Sequence, residues 1–138
     1  MGNLIHSASR AQSSVALSIT ESDLYAMCSA ASEALYLRNL MVESGISDDQ
    51  VITNLQTDSS AAKSLVSRSG PGRKTRRIQM KYLYLQDLIQ DGQVKIFKVK
   101  TENTVADILT KYLSGEIMEK LSSMISVHEH QLDKSQNL

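Results

Sequence analysis

Four carboxylates stand where secondary-structure elements begin or end. Glu21 and Asp23 open a helical stretch, Asp58 directly follows a strand-like run, and Asp107 lies within VADILTK. Carboxylates drawn from distant segments suit Mg²⁺, a hard cation that takes oxygen ligands. Two such ions about 4 Å apart can activate a water and stabilise the leaving oxygen in phosphodiester hydrolysis. Each acid also has an ordinary role open to it, as a helix cap or a solvated charge. A second cluster is cationic: Arg68, Arg73, Lys74, Arg76, Arg77 and Lys81 surround a Gly-Pro-Gly turn and a helix start. Such side chains can neutralise phosphates and position a duplex without reading its sequence. The alternative is a solvated helix face. Positive charge at a helix N-terminus opposes the helix dipole, a mild cost that favours a ligand there.

The elements that position these groups follow from pattern. Asn3 to His6 reads as a short strand, and Val15 to Ile19 as an extended approach. Ser18-x-x-Glu21 has the form of a capping box and opens a helix at about residue 19 or 20. Leu24, Met27, Cys28, Ala31, Leu35, Met41 and Val42 form its apolar stripe, which Tyr25, Tyr36, Leu37 and Leu40 broaden almost all round. That predicts a helix buried on much of its circumference and stopped by Gly45. Val51, Thr53, Leu55 and Thr57 alternate as a half-covered strand, with Asp58 where the strand stops and Ser59 and Ser60 placed to cap the next helix. Chemistry in α/β sheets sits at the carboxyl ends of strands, so Asp58 is the focal position.

A short helix over Ser60 to Ser67 follows, then the break at Gly70-Pro71-Gly72 and a helix over Arg76 to Gln90. Asp91-Gly92 is a turn, Val94 to Val99 a strand, and Thr101 to Thr104 a loop. Val105 to Leu113 starts another helix, residues 116 to 127 continue helical, and 128 to 138 form a polar tail. The order strand-helix-strand-helix-helix-strand-helix is an α/β pattern.

Bulk properties narrow the class. The 138 residues suit one domain, and 41% hydrophobic content with 15 basic and 15 acidic residues is ordinary for a soluble protein. A single cysteine, Cys28, excludes an internal disulfide and fits a reducing compartment. No apolar run approaches the roughly 20 residues of a membrane span. Without a signal-peptide pattern, the chain is expected to be intracellular, in cytoplasm or nucleus.

In this order, S-I-T-E-S-D-L-Y-A-M, T-D-S-S-A-A-K-S-L, R-R-I-Q-M-K-Y-L-Y-L-Q-D, D-G-Q-V-K-I-F-K-V and T-E-N-T-V-A-D-I-L-T-K-Y-L resemble the ribonuclease H (RNase H) domain of copia-type LTR retrotransposon Gag-Pol polyproteins. The likeness covers about residues 3 to 125, with residues 126 to 138 as tail. It implies an RNase H-like α/β fold and Mg²⁺- or Mn²⁺-dependent cleavage of the RNA strand of RNA/DNA hybrids at a two-ion site. The reverse transcriptase domain of the same polyprotein is an implied partner. By position, Asp58 matches the aspartate of C-D-N-Q and Asp107 that of A-D-I-L-T-K. Glu21 and Asp23 match the two glutamates of S-S-T-E-A-E-Y. Glu21 has a competing role in the capping box, so Asp23, though one methylene shorter than the family's glutamate, is preferred as the ligand and Glu21 is kept beside it.

The resemblance also implies an absence. The family's first catalytic aspartate lies on a strand upstream of the Asn3-to-His6 region, and nothing before Glu21 is acidic. The first strands are expected to be missing, giving a truncated domain that is inactive as an isolated chain. The strand carrying Asp58 would then have an unpaired edge, at which Asn3 to His6 or another chain could pair, self-association included. Two other readings stand beside this one: a non-catalytic remnant that binds nucleic acid or serves as a structural module, and an unrelated small α/β interaction protein.

The remaining candidates read as structural. Cys28 sits on the apolar stripe as a core thiol, and Tyr82 is in phase with the core, while Tyr84 is open to stacking on sugars or bases. His6 reads as a strand side chain, and His128 and His130 lack companion ligands for a metal.

Overall fold

The computed structural model describes residues 4–13, 15–67 and 76–126, with the side chains of 62, 65, 67 and 76–79 excepted. Asn3, the Gly70-Pro71-Gly72 break and the tail with His128 and His130 lie outside the described residues. The chain divides into two compact units, Ser13–Val99 and Met1–Gln12 with Lys100–Leu138.

In the larger unit, helix α1 (Ile19–Glu43) leads to strand β1 (Thr53–Thr57), helices α2 (Ser60–Ser67) and α3 (Arg76–Gln90), and strand β2 (Val94–Lys98). Both strands run parallel, in register from Thr53 opposite Val94 to Thr57 opposite Lys98. A parallel pair needs a crossover, and α2 and α3 supply it. Helices cover one face of the pair. Leu55 and Val94 point into that layer and are buried with Leu24, Met27, Cys28, Ala31, Val66, Tyr82, Leu85 and Leu88. The opposite face, with Asn54, Gln56, Lys95 and Phe97, is exposed. Alternation along β1 thus follows the sequence pattern.

Two helix ends explain how the chain turns. α1 stops at Gly45, whose φ of +70° is the left-handed conformation glycine adopts without strain. The amides of Gly45 and Ile46 donate to the carbonyls of Val42 and Met41, a Schellman closure. α3 ends the same way at Gly92 (φ +70°), with Gly92 and Gln93 donating to Ile89 and Leu88. β2 begins two residues later.

Three expectations are corrected. Leu4, Ile5 and His6 form no strand and are exposed, because a strand so short gains nothing without a paired neighbour. The leading strand of the expected order is therefore not seen among the described residues. α1 is buried only as far as Ala31. A helix of 25 residues spans about 37 Å, whereas the five residues of β1 span about 17 Å, so the second half outruns the sheet and leaves Tyr36 and Leu40 exposed.

The third correction lies in the other unit. Val105–Leu109 is a 3₁₀ turn, preceded by another over Thr101–Asn103, rather than the start of an α-helix. The amides of Asp107 and Thr110 donate three residues back, to Thr104 and Asp107. Val105, Ile108 and Thr110 are β-branched and lose side-chain freedom in an α-helix, so a short segment settles for the tighter turn. Helix α4 (Gly115–Met124) packs on it and buries Leu121. No helix among the described residues is long and apolar enough to cross a membrane.

Candidate acidic site and basic segment

The first turn of α1 separates its two acids. Ser18 is extended (φ −153°, ψ 159°), and its Oγ accepts a hydrogen bond from the Glu21 amide at 3.1 Å. The Glu21 carboxylate reaches back in turn, but to the amide of Leu17, which donates to Oε2 at 2.8 Å. The reciprocal bond of the capping box thus falls one residue earlier than a standard box places it. Oε1 accepts from the Tyr25 hydroxyl at 2.7 Å. Only 6% of Glu21 is exposed. A buried carboxylate must have partners, and here both oxygens have them, which makes Glu21 an anchor for the helix start.

Asp23 is half-buried, and its side chain makes no hydrogen bond or ion pair among the described residues. Asp58, also half-buried, lies directly after the last residue of β1 with its side chain equally uncommitted. Ser59 follows in the N-cap position of α2. Its carbonyl accepts from the Lys63 amide, and its own amide donates to Thr57 Oγ1 at 3.1 Å. The serine is accounted for by its place at the helix start. Asp107 belongs to the smaller unit. Its carboxylate holds Lys111 Nζ at 2.9 Å, with 13% of the Asp107 side chain and 51% of the Lys111 side chain exposed.

Among the described residues, no three His, Cys, Asp or Glu side chains form a group that could hold a metal ion. Asp23 and Asp58 belong to the larger unit and Asp107 to the smaller one.

Of the basic segment, Arg68, Arg73 and Lys74 lie outside the described residues, and Arg76 and Arg77 open α3 without described side chains. Lys81 is half-buried, with its ammonium 4.5 Å from the Tyr25 ring centroid. That cation–π contact keeps Lys81 against α1. Tyr82 is in the core as its phase predicts, its hydroxyl accepting from Gln86 Nε2 at 3.0 Å. Tyr84 is 38% exposed and shares a hydrogen bond with Ser32 Oγ at 3.1 Å. Tyr84 and Lys81 line an open groove of about 400 Å³ between α1 and α3, with Cys28 at its floor. Cys28 Sγ donates to the Lys81 carbonyl at 3.3 Å. Burial pushes the thiol up to about 11, with Lys81 pulling the other way, so it is a core group and not a nucleophile.

Sequence reasoning missed Tyr25 as the partner of both Glu21 and Lys81. The signal was present: Glu21 and Tyr25 are four residues apart on one helix and so share a face.

No protein-family model and no solved structure matches the chain. The chain is similar to the retrovirus-related Pol polyprotein from transposon TNT 1-94 of Nicotiana tabacum, at 26% identity over 129 residues. The match takes in 94% of this chain and 10% of the polyprotein, so the chain spans about a tenth of the relative's length. Its likeness across nearly all of its residues is to a retrotransposon polyprotein.

Proposed function

We propose that these residues are part of the RNase H domain of a copia-type retrotransposon polyprotein, whose reaction is hydrolysis of the RNA strand of RNA/DNA hybrids. The observation that carries this is the likeness to a Pol polyprotein over 94% of the chain, beside the five motifs that stand in family order in the sequence. The fold is consistent with that role: Asp58 ends a parallel strand, the position from which α/β sheets present chemistry. Asp23 is the helix-borne acid of the set, because Glu21 is committed to Leu17 and Tyr25. Asp107 is the third. Mg²⁺ or Mn²⁺ would supply the water activation in a completed site. Asp23 and Asp58 stand in one unit and Asp107 in the other, and no step through a metal is assigned to this chain.

Among the described residues no group of three His, Cys, Asp or Glu could hold a metal ion, and a second reading for the chain alone is that it binds the hybrid through Arg73, Lys74, Arg76, Arg77 and Lys81 and does not cut it. A labelled RNA/DNA hybrid, incubated with the chain in Mg²⁺ or Mn²⁺ beside Asp58→Asn and Asp107→Asn, separates the two. Cleavage lost in both variants supports a working site; binding without cleavage supports the second reading. Neither binding nor cleavage removes both.

A further inference from the structure

Helices α1 and α3 lie side by side and run in the same direction, because their contacts advance together. Cys28 Sγ reaches the Lys81 carbonyl at 3.3 Å, and one turn further Ser32 Oγ meets the Tyr84 hydroxyl at 3.1 Å. Between them runs the open groove of about 400 Å³ with Cys28 at its floor. Both walls are pinned. Tyr84 is tied to Ser32, and the Lys81 ammonium rests 4.5 Å from the Tyr25 ring centroid, so the slot is shaped before anything enters it. Its rims carry what a surface helix ordinarily hides. On the α3 side Met80 is 69% exposed. On the α1 side Tyr36, seven residues after the groove residue Ser29 and so on the same stripe, is 68% exposed, and Leu40 one turn on is 49% exposed. α1 has no charged residue from Leu24 to Ser32. A helix without a polar face is one that is covered all round, yet Ala26, Ser29 and Ala30 are exposed on its outer side.

The chemistry of the groove selects its occupant. Backbone groups along both walls are used within α1 and α3, so the groove has no strand edge to offer an extended peptide. An entering backbone must satisfy itself, and a helix does. The charges on the rims are acidic. Glu33 lines the groove on α1, and Asp87, seven residues after Met80 and three after Tyr84, is exposed on the same stripe of α3. Lys81, the cation of the lining, is held over Tyr25. That arrangement favours a cationic flank over a phosphate backbone.

We propose that the α1–α3 groove docks one amphipathic helix of a partner protein. That helix lays an apolar stripe against Met80, Tyr84, Tyr36 and Leu40 and sets Lys or Arg on its flanks beside Glu33 and Asp87. The small side chains of Ser29 and Ala30 leave it room to come close to α1, and the Met80 thioether adapts to the apolar residue above it. Neither Asp58 nor Asp107 takes part, so the groove stands whether or not the nuclease reading holds.

A displayed library of stapled helical peptides, randomised along one face and its flanks, is selected on the intact 138-residue chain. Fluorescence anisotropy then measures the enriched peptides. They carry apolar residues at helical spacing with Lys or Arg beside them. Met80→Glu and Tyr36→Glu, at exposed positions outside the core, each weaken binding by about tenfold or more. Asp87→Lys weakens it about fivefold, and exchanging the peptide's basic residues for Glu restores it. The proposal is overturned if the enriched peptides are acidic, if no binder emerges, or if any of the three variants binds as the wild type does. It is equally overturned by a chain that sediments as a dimer which Met80→Glu dissociates, since a second copy then fills the groove. Displacement of the peptide by an RNA/DNA hybrid overturns it too, by giving the groove to nucleic acid. None of these readouts involves cleavage, so failure here leaves the nuclease reading as it stands.

Discussion

The Tyr25 hydroxyl donates to Glu21 Oε1 at 2.7 Å across one turn of α1, and the other carboxylate oxygen holds the Leu17 amide. Glu21 thereby fastens the incoming chain to the helix. Glu21→Ala removes the acceptor that the buried Tyr25 hydroxyl and the Leu17 amide share, and is expected to cost about 1–3 kcal/mol in urea unfolding. Asp23→Asn, which breaks no contact, stays within about 0.5 kcal/mol. Equal losses for the two would contradict the anchor assignment.

Leu85 is fully buried in the cluster that joins α1, α3 and both strands. Leu85→Ala removes that volume from a core with little else to fill it, and should cost about 2–5 kcal/mol. A midpoint unchanged in urea would mean that α3 does not pack there.

Gly45 and Gly92 both hold φ near +70°, and a Cβ at either would meet nothing within 4 Å. Substitution is therefore a matter of conformation and not of space. Gly92→Ala and Gly45→Ala should each cost about 1 kcal/mol, and Gly92→Asn less than Gly92→Ala, since asparagine tolerates the left-handed region better. Thermal unfolding of the three variants reads the order.

The Cys28 thiol is raised from 9.0 to about 11, chiefly by burial. The unfolded chain then ionises first. Below pH 9 the full stability is present, and as pH rises from about 9 toward about 11 the unfolded state holds fewer protons and stability falls. Cys28→Ala should flatten that part of the pH profile. Alkylation by iodoacetamide should be slow in the native chain and fast in urea; equal rates would place the thiol at the surface.

Lys111 and Asp107 pair at 2.9 Å, four residues apart, with Lys111 half in solvent. Pairs of this kind contribute little. Lys111→Ala should change stability by under about 0.5 kcal/mol, which leaves Asp107 open to a chemical readout unclouded by unfolding.

Local pattern made much of this legible. The ends of α2 and α3, the stops at Gly45 and Gly92, and the half-covered alternation of β1 all rest on signals within a few residues of where they act. The errors have another origin. Asn3 to His6 reads as a strand, but a strand is defined by its neighbour, which no local window contains. The apolar residues of α1 after Ala31 promised burial, but how far a helix stays covered depends on the length of the sheet below it. The carboxylates divide the same way. Their element ends could be read from sequence, and Asp58 and Asp23 stand there uncommitted. That Glu21 is spent on Tyr25, and Asp107 held by Lys111, follows from side-chain geometry that motif order does not encode.

The most direct measurement is binding and cleavage of a labelled RNA/DNA hybrid by the intact chain in Mg²⁺ and in Mn²⁺. The account predicts salt-sensitive binding, weakened in Arg76→Ala/Arg77→Ala, with any cleavage lost in both Asp58→Asn and Asp107→Asn. Cleavage that persists in both Asp58→Asn and Asp107→Asn, or a chain that does not bind the hybrid at all, would contradict it.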